Sequence, residues 1–204
     1  VAGQIARIAG CRVVGVAGRP EKCRFVTDEL GFDACVSHLS DGLADELAAA
    51  CPDGVDVYFE NVGGATFEAV LPLLNERARI TLCGLVSQYG NTDGRDAREV
   101  WQATGRPTFE RRSVTVHGLW VRDYVASHQA EFLERMGGWI RDGRVVYRED
   151  LWHGLEEAPR AFRAMLEGGN FGKTLVVVGD DPTTDAALAA RRAAGDVLAH
   201  GRGE

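Results

Sequence analysis

No stretch of this sequence approaches the roughly 18–20 consecutive apolar residues that a helix needs to span a bilayer, although 45% of its 204 residues are hydrophobic. A surplus of positive charge is missing too. The formal net charge is −7, which argues against a general nucleic-acid or membrane-surface binder, because phosphate backbones need a basic face. The opening residues are amphipathic and do not read as a basic leader with an apolar core. Metal spacing is absent from the cysteines. Cys11, Cys23, Cys35, Cys51 and Cys83 include no C-x-x-C pair, and no histidine stands at zinc-finger distance. Their odd number and apolar settings fit reduced structural thiols in a cytoplasmic protein, so neither a disulfide framework nor a metal site is expected. No internal repeat or low-complexity tract occurs.

What is present is an alternation of short, valine-rich strands with helices. Periodicity places helices at 2–9, 21–30, 41–50, 65–74, 127–141 and 156–166. Strands fall at 12–17, 34–36, 55–59, 78–84, 113–121, 144–150 and 173–178. Around Glu99 to Trp101 the pattern favours no element. Such alternation means βαβ units and a mostly parallel sheet, the α/β class, whose crossovers are expected to bury both sheet faces. The last stretch, 179–204, has few large apolar residues and reads as a mobile tail, with Thr184-Asp185 able to cap an alanine-rich helix.

In open α/β sheets ligands sit beyond the carboxyl ends of the strands, so the residues that follow each strand are the informative ones. After the first strand comes Gly18-Arg19-Pro20-Glu21-Lys22. NAD sites carry an acid at this strand tip for the adenosine ribose, whereas NADP sites replace it with cations for the 2′-phosphate. Here the tip has no acid, and Glu21 belongs to the first helical turn, where the dipole favours it. The stretch by itself fits either phosphate binding or two solvated cations. After 55–59 comes Glu60-Asn61-Val62-Gly63-Gly64, where glycines let backbone approach a ligand; a plain turn accounts for it equally. After 78–84, Leu85-Val86-Ser87-Gln88-Tyr89-Gly90 offers a hydroxyl, an amide and a phenol, and the tyrosine suits a ribose contact or a proton donor. Near the end, Asn170 lies between glycines in "GGNFGK".

Taken in order, "GQIARIAGCRVVGVAG", "LGFDAC", "VDVYFENVGG", "ARITLCGLVSQY", "HGLWV" and "GLEEAPRAF…LEGGNFGKTLVVV" resemble the zinc-independent medium-chain dehydrogenase/reductases. Among these the likeness is to the NADPH-dependent alkenal/one reductases, with the curcumin-reductase-like branch nearest. The resemblance covers residues 1 to 178. It implies a Rossmann-type doubly wound parallel sheet over 1–149, without its first strand and Gly-rich turn, and a segment 150–178 that returns to a GroES-like substrate domain. The chain is accordingly expected to be the C-terminal part of a longer enzyme.

The resemblance also implies roles, residue by residue. Lys22 stands at the lysine that contacts the 2′-phosphate of NADP(H), and His38 near that phosphate. Asn61 matches a cofactor-binding asparagine. Cys83, Gly84, Leu85, Val86, Ser87, Gln88 and Tyr89 match the loop under the nicotinamide and its ribose. Leu119, Trp120 and Val121 match an apolar strand end at the nicotinamide, and Asn170 matches a late asparagine on the phosphate side. Two departures stand out: Gly90 replaces an asparagine, and Trp120 is bulkier than the usual aliphatic residue. The implied activity is NADPH-dependent reduction of the carbon–carbon double bond of α,β-unsaturated ketones and aldehydes. Hydride goes to the β-carbon, and Tyr89 is the catalytic candidate. The implied partners are a small enone substrate and a second copy in a homodimer, with no nucleic acid and no membrane. A quinone reductase of the same superfamily, or a non-catalytic nucleotide-binding or oligomerising fragment, are the alternatives.

Overall fold

The computed structural model describes residues 1–179 and the strand Val197–His200. The chain divides into two compact units, one formed by 2–144 and the other by 145–204 with Val1. Most of the tail 179–204, with its capped helix, lies outside the described residues.

The first unit opens with helix α1 (Ala2–Ile8), closed by Gly10 at φ 86°. It leads to strand β1 (Val14–Ala17), which pairs in parallel with β2 (Ala34–Ser37). Between them runs helix α2 (Pro20–Arg24), with proline at its start, and it passes into a single π-helical stretch, Phe25–Glu29. Helix α3 (Leu43–Ala50) follows, then β3 (Val55–Glu60), α4 (Gly64–Val70) and β4 (Leu74–Leu82). Helix α5 (Ala97–Arg111), β5 (Thr115–Gly118) and α6 (Arg122–Arg141) complete the unit. Strands β3, β4 and β5 form a second parallel sheet in that order, separate from β1–β2. The parallel βαβ succession is Rossmann-type.

The core lies where α3, α4 and α5 meet β4. Leu47, Phe67, Leu74 and Ile80 are buried there, and Phe67 stacks on Trp101 with centroids 4.6 Å apart. The expectation that both sheet faces are covered is corrected. In β4, Leu74, Ala78, Ile80 and Leu82 are buried while Arg77 and Arg79 are not, and Val57 and Phe59 of β3 are exposed. Helix α6 contributes no buried residue, so the helical cover is one-sided.

Several elements differ from the sequence expectation. Leu74, read as the end of a helix, starts β4 instead, after a 3-10 turn at Leu71–Leu73 that contains Pro72. The strand expected at 113–121 is only Thr115–Gly118, because Trp120 O already accepts Asp123 N in the turn into α6. Ambiguous residues 99–101 belong to the fifteen-residue α5.

In the second unit the strand expected at 144–150 is displaced to β6 (Glu149–His153). It is followed by α7 (Ala158–Leu166) and β7 (Lys173–Val177). Strand β8 (Val197–His200) falls within the stretch read as a tail, and β6 pairs in parallel with both β7 and β8. Among the described residues no helix is long and apolar enough to cross a membrane.

Candidate functional site

The carboxyl ends of β1 and β2 bring the first set of expected residues together. His38 N donates to Ala17 O at 2.9 Å, continuing the ladder one residue past the strand. Ser37 Oγ donates to Gly18 O at 2.6 Å, and a Cβ on Gly18 would lie 3.1 Å from His38 Nε2. The imidazole therefore rests against Gly18, at the start of the Arg19–Lys22 turn, where Lys22 N donates to Arg19 O at 2.9 Å. Arg19 and His38 are exposed and Lys22 is half-buried. Behind this tip, burial and the adjacent Cys23 thiol push Cys35 up to about 12, so it stays a neutral thiol at pH 7. All five cysteines are free.

A second convergence lies at the carboxyl ends of β3, β4 and β5, where Glu60 pairs with Leu82 and Leu82 with Gly118. The loops after β3 and β4 are hydrogen-bonded to each other along their length. Cys83 N and Gly84 N donate to Glu60 O at 2.8 and 3.2 Å. Val86 N donates to Asn61 O at 2.9 Å, and Ser87 donates to Val62 O through both N (3.0 Å) and Oγ (2.5 Å). After β5, Leu119 N donates to Leu82 O at 2.9 Å. Tyr89 is 72% exposed, with its hydroxyl 3.4 Å from where a Cβ on Gly84 would stand, so the phenol lies over that glycine.

The turn that carries Asn61 depends on glycine. Gly63 has φ 74° and ψ −160°, a conformation other residues adopt only under strain, and a Cβ there would come within 3.1 Å of Leu85 Cδ2. Gly63→Ala is expected to lower the unfolding free energy by about 1–3 kcal/mol. Urea titration of the variant beside the parent checks this, and superimposable curves would contradict it.

A cleft of about 320 Å³ opens beside these loops, lined by Leu82, Cys83, Gly84, Leu85, Tyr89, Leu119 and Trp120 and by Asp96, Ala97 and Arg98 from the start of α5. Thus the expected Cys83, Gly84, Leu85, Tyr89, Leu119 and Trp120 share one cavity. Ser87 and Asn61 stand in the hydrogen-bonded loops beside it, as do Val86 and Gln88 of the 3-10 turn Val86–Gln88. Val121 is exposed at the start of α6. Asn170 belongs to the second unit, where its Nδ2 donates to Gly172 O at 3.0 Å.

Sequence reasoning missed the α5 wall. Its start is signalled by Asp96, whose Oδ1 accepts Arg98 N (2.8 Å) and Glu99 N (2.9 Å), an N-cap with a glutamate at the third helical position. Arg98 runs along the wall, its Nη2 3.1 Å from where a Cβ on Gly118 would be. The second feature that sequence reasoning missed is the full burial of Glu60 at the end of β3, a residue the sequence shows only as one of a polar pair.

Residues 1–137 match the family model described as "Zinc-binding dehydrogenase". The donor set does not fit a zinc ion: among the described residues no group of three or more His, Cys, Asp or Glu could hold a metal. The chain is 46% identical over 183 residues to the NADPH-dependent curcumin reductase of Escherichia coli, covering 88% of this chain and 52% of that protein. It is 36% identical over 177 residues to the NADP(+)-dependent 2-alkenal reductase of Nicotiana tabacum, covering 86% and 50%. The crystal structure of CurA in complex with NADPH from Vibrio vulnificus matches with a TM-score of 0.79 at 44% identity, covering 88% and 53%. The chain therefore spans about half the length of the relatives it matches. With this match over residues 1–137, the chain belongs to the zinc-binding dehydrogenase family and is similar there to curcumin reductases.

Proposed function

We propose that this chain is the dinucleotide-binding part of an NADP(H)-dependent reductase acting on the carbon–carbon double bond of α,β-unsaturated ketones and aldehydes. The observation that carries the reading is the joining of the Glu60–Gly64 turn to the 83–89 loop at one cleft, in a chain 46% identical to a curcumin reductase.

The residues fit a phosphorylated dinucleotide. Cationic and imidazole groups stand at a strand tip without an acid, and an apolar cleft edged by amide, hydroxyl and phenol groups stands at the neighbouring strand ends. When bound, that cofactor supplies the hydride that reaches the β-carbon. Lys22 and His38 hold the 2′-phosphate, with Arg19 beside them. Asn61 and residues 83–89 hold the ribose and nicotinamide, and Leu119, Trp120 and Val121 close the apolar side. Leu85, Leu119 and Trp120 exclude water, which strengthens hydrogen bonds to the developing enolate oxygen. Tyr89 holds a ribose hydroxyl or relays the proton that the α-carbon receives. Much of the rate comes from positioning two reactants in one cleft.

Three further parts belong to the same reading. Phe162, Met165 and Leu166 of α7 are exposed, which supports the packing of residues 150–178 on a substrate-binding domain, as the relatives' greater length accommodates. The outer edge of β5 carries no strand among the described residues, which suits pairing with a second copy in a homodimer. Five free cysteines favour a reducing, cytoplasmic setting.

The test is NADPH oxidation followed with an enone, with a quinone and with no acceptor. Enone-dependent oxidation, reducing only the double bond, is the expected result. Faster turnover of the quinone would favour the quinone-reductase alternative, and NADPH binding without any turnover would favour the non-catalytic one.

A further inference from the structure

Glu60 is fully buried, yet its carboxylate meets donors from three directions. Its Oε1 accepts Val62 N at 2.7 Å and Gly63 N at 3.0 Å, and its Oε2 accepts Trp101 Nε1 at 3.2 Å. The Tyr58 phenol stands two residues back on the same strand face; burial first, and then the charge of Glu60, push that phenol above its ordinary range. The main-chain oxygen of Glu60 meanwhile accepts Cys83 N and Gly84 N. One residue thus ties the Asn61–Gly64 turn to the loop after β4 through its backbone, and to α5 through its side chain.

Trp101 makes that last tie matter for the cleft. It is 4% exposed and sits one helical turn beyond Asp96, Ala97 and Arg98, which form the cleft wall. Its indole packs with Phe67 and Phe109 in a three-ring cluster, with centroids 4.6 and 5.4 Å away, which ties it to α4 as well as to its own helix. An ionised carboxylate only accepts hydrogen bonds, and all the groups aimed at this one are donors. A glutamine has the same shape but turns an N–H₂ toward one set of those donors. The geometry thus distinguishes the charge from mere volume.

We propose that Glu60 is a positioning residue: its carboxylate fixes the spacing between the Asn61–Gly64 turn and α5, and so sets the width of the cleft that receives the nicotinamide end of the cofactor. The proposal rests on the reading of that cleft as a dinucleotide site. Residues at the β1–β2 tip lie outside this network, so binding of a ligand held by that tip alone does not depend on Glu60.

The experiment compares the parent with Glu60→Gln, using two ligands and one spectroscopic signal. Calorimetry with NADPH is expected to show binding weakened on the order of tenfold, the scale of one charge-assisted contact to a buried group. Calorimetry with adenosine 2′,5′-bisphosphate, which carries only the part held at the β1–β2 tip, is expected to be unchanged. The Trp101 indole N–H resonance, assigned by its disappearance in Trp101→Phe, is expected to move in Glu60→Gln without any ligand. Equal weakening of both ligands would mean general loosening and overturn the proposal, as would unaltered NADPH binding or an unmoved indole signal. A parent that binds no NADPH would overturn the reading of the cleft itself, and the proposal with it. Should Glu60→Gln not fold, Trp101→Phe keeps an aromatic ring at that place in the cluster while removing the indole donor. It is expected to weaken NADPH several-fold and to spare the bisphosphate, and equal effects on the two would again refute the role.

Discussion

Phe67→Ala is expected to remove about 3–5 kcal/mol of folding free energy, the usual cost of deleting a buried aromatic ring and leaving a cavity. Phe67 is 2% exposed, stacks on Trp101 at an interplanar angle of 25° and lies 6.2 Å from Phe109. It belongs to α4, which starts at Gly64 directly after Gly63, so the ring backs both the turn and the indole that reaches Glu60. A domain commonly has only about 5–15 kcal/mol of net stability, and the variant is therefore expected to be partly unfolded at body temperature. Denaturant unfolding of the two proteins gives the difference directly. A loss below about 1 kcal/mol would mean that neighbouring side chains collapse into the space, and that the aromatic cluster does not hold the cleft wall.

Lys22→Ala is expected to weaken NADPH tenfold or more and to leave NADH nearly unchanged. A hydrogen bond between charged partners is worth about 1.5–3 kcal/mol, and each 1.4 kcal/mol is a factor of ten in affinity. The 2′-phosphate is the only difference between the two cofactors, so a cation that contacts it acts on one alone. Lys22 is half-buried in α2, while His38 and Arg19 at the same tip are exposed, and exposed charges contribute less. Titration calorimetry with both cofactors on parent and variant decides the matter, and parallel losses would assign Lys22 a structural part instead.

Much of this molecule is readable from its residues, because the strands are short valine-rich runs and the turns carry glycine at the required places. The parallel class and, to within a residue, the carboxyl ends of β1, β2 and β3 follow from that, whereas the joining of the loops after β3 and β4 is implied only by the family resemblance. Helix α5 does not follow, because Gly105 and Pro107 lie inside it and both argue against helix. The structure supplies the reason for Gly105: the Phe109 ring folds back over it, 2.2 Å from where a Cβ would stand, and so reaches Trp101. That contact is made within α5 itself, between residues four apart, and a glycine contributes no apolar side chain to mark the period. The displaced β6 is another such case. "RVVYRED" has the composition of a strand, but only Glu149 and Asp150 of it join the ladder, which runs on through the buried Leu151 and Trp152, while Val145 is buried outside it. Glu60 was visible as a polar residue beside two glycines. That its side chain points inward, to meet an indole 41 residues away, was not.

The division of the first unit's strands into β1–β2 and β3–β4–β5 has a consequence for proton chemistry far from any ligand. A β-strand directs successive peptide N–H groups to alternate sides, and β3 has a strand on one side only among the described residues. Deuterium uptake along Val55–Glu60 should therefore be a comb, with slow and fast amides alternating residue by residue, whereas β4, flanked by β3 and β5, should be slow throughout. Filling of the open side by another strand would turn the comb into a uniform block, so the exchange pattern of six residues reports whether that edge is occupied under the conditions of any given assay.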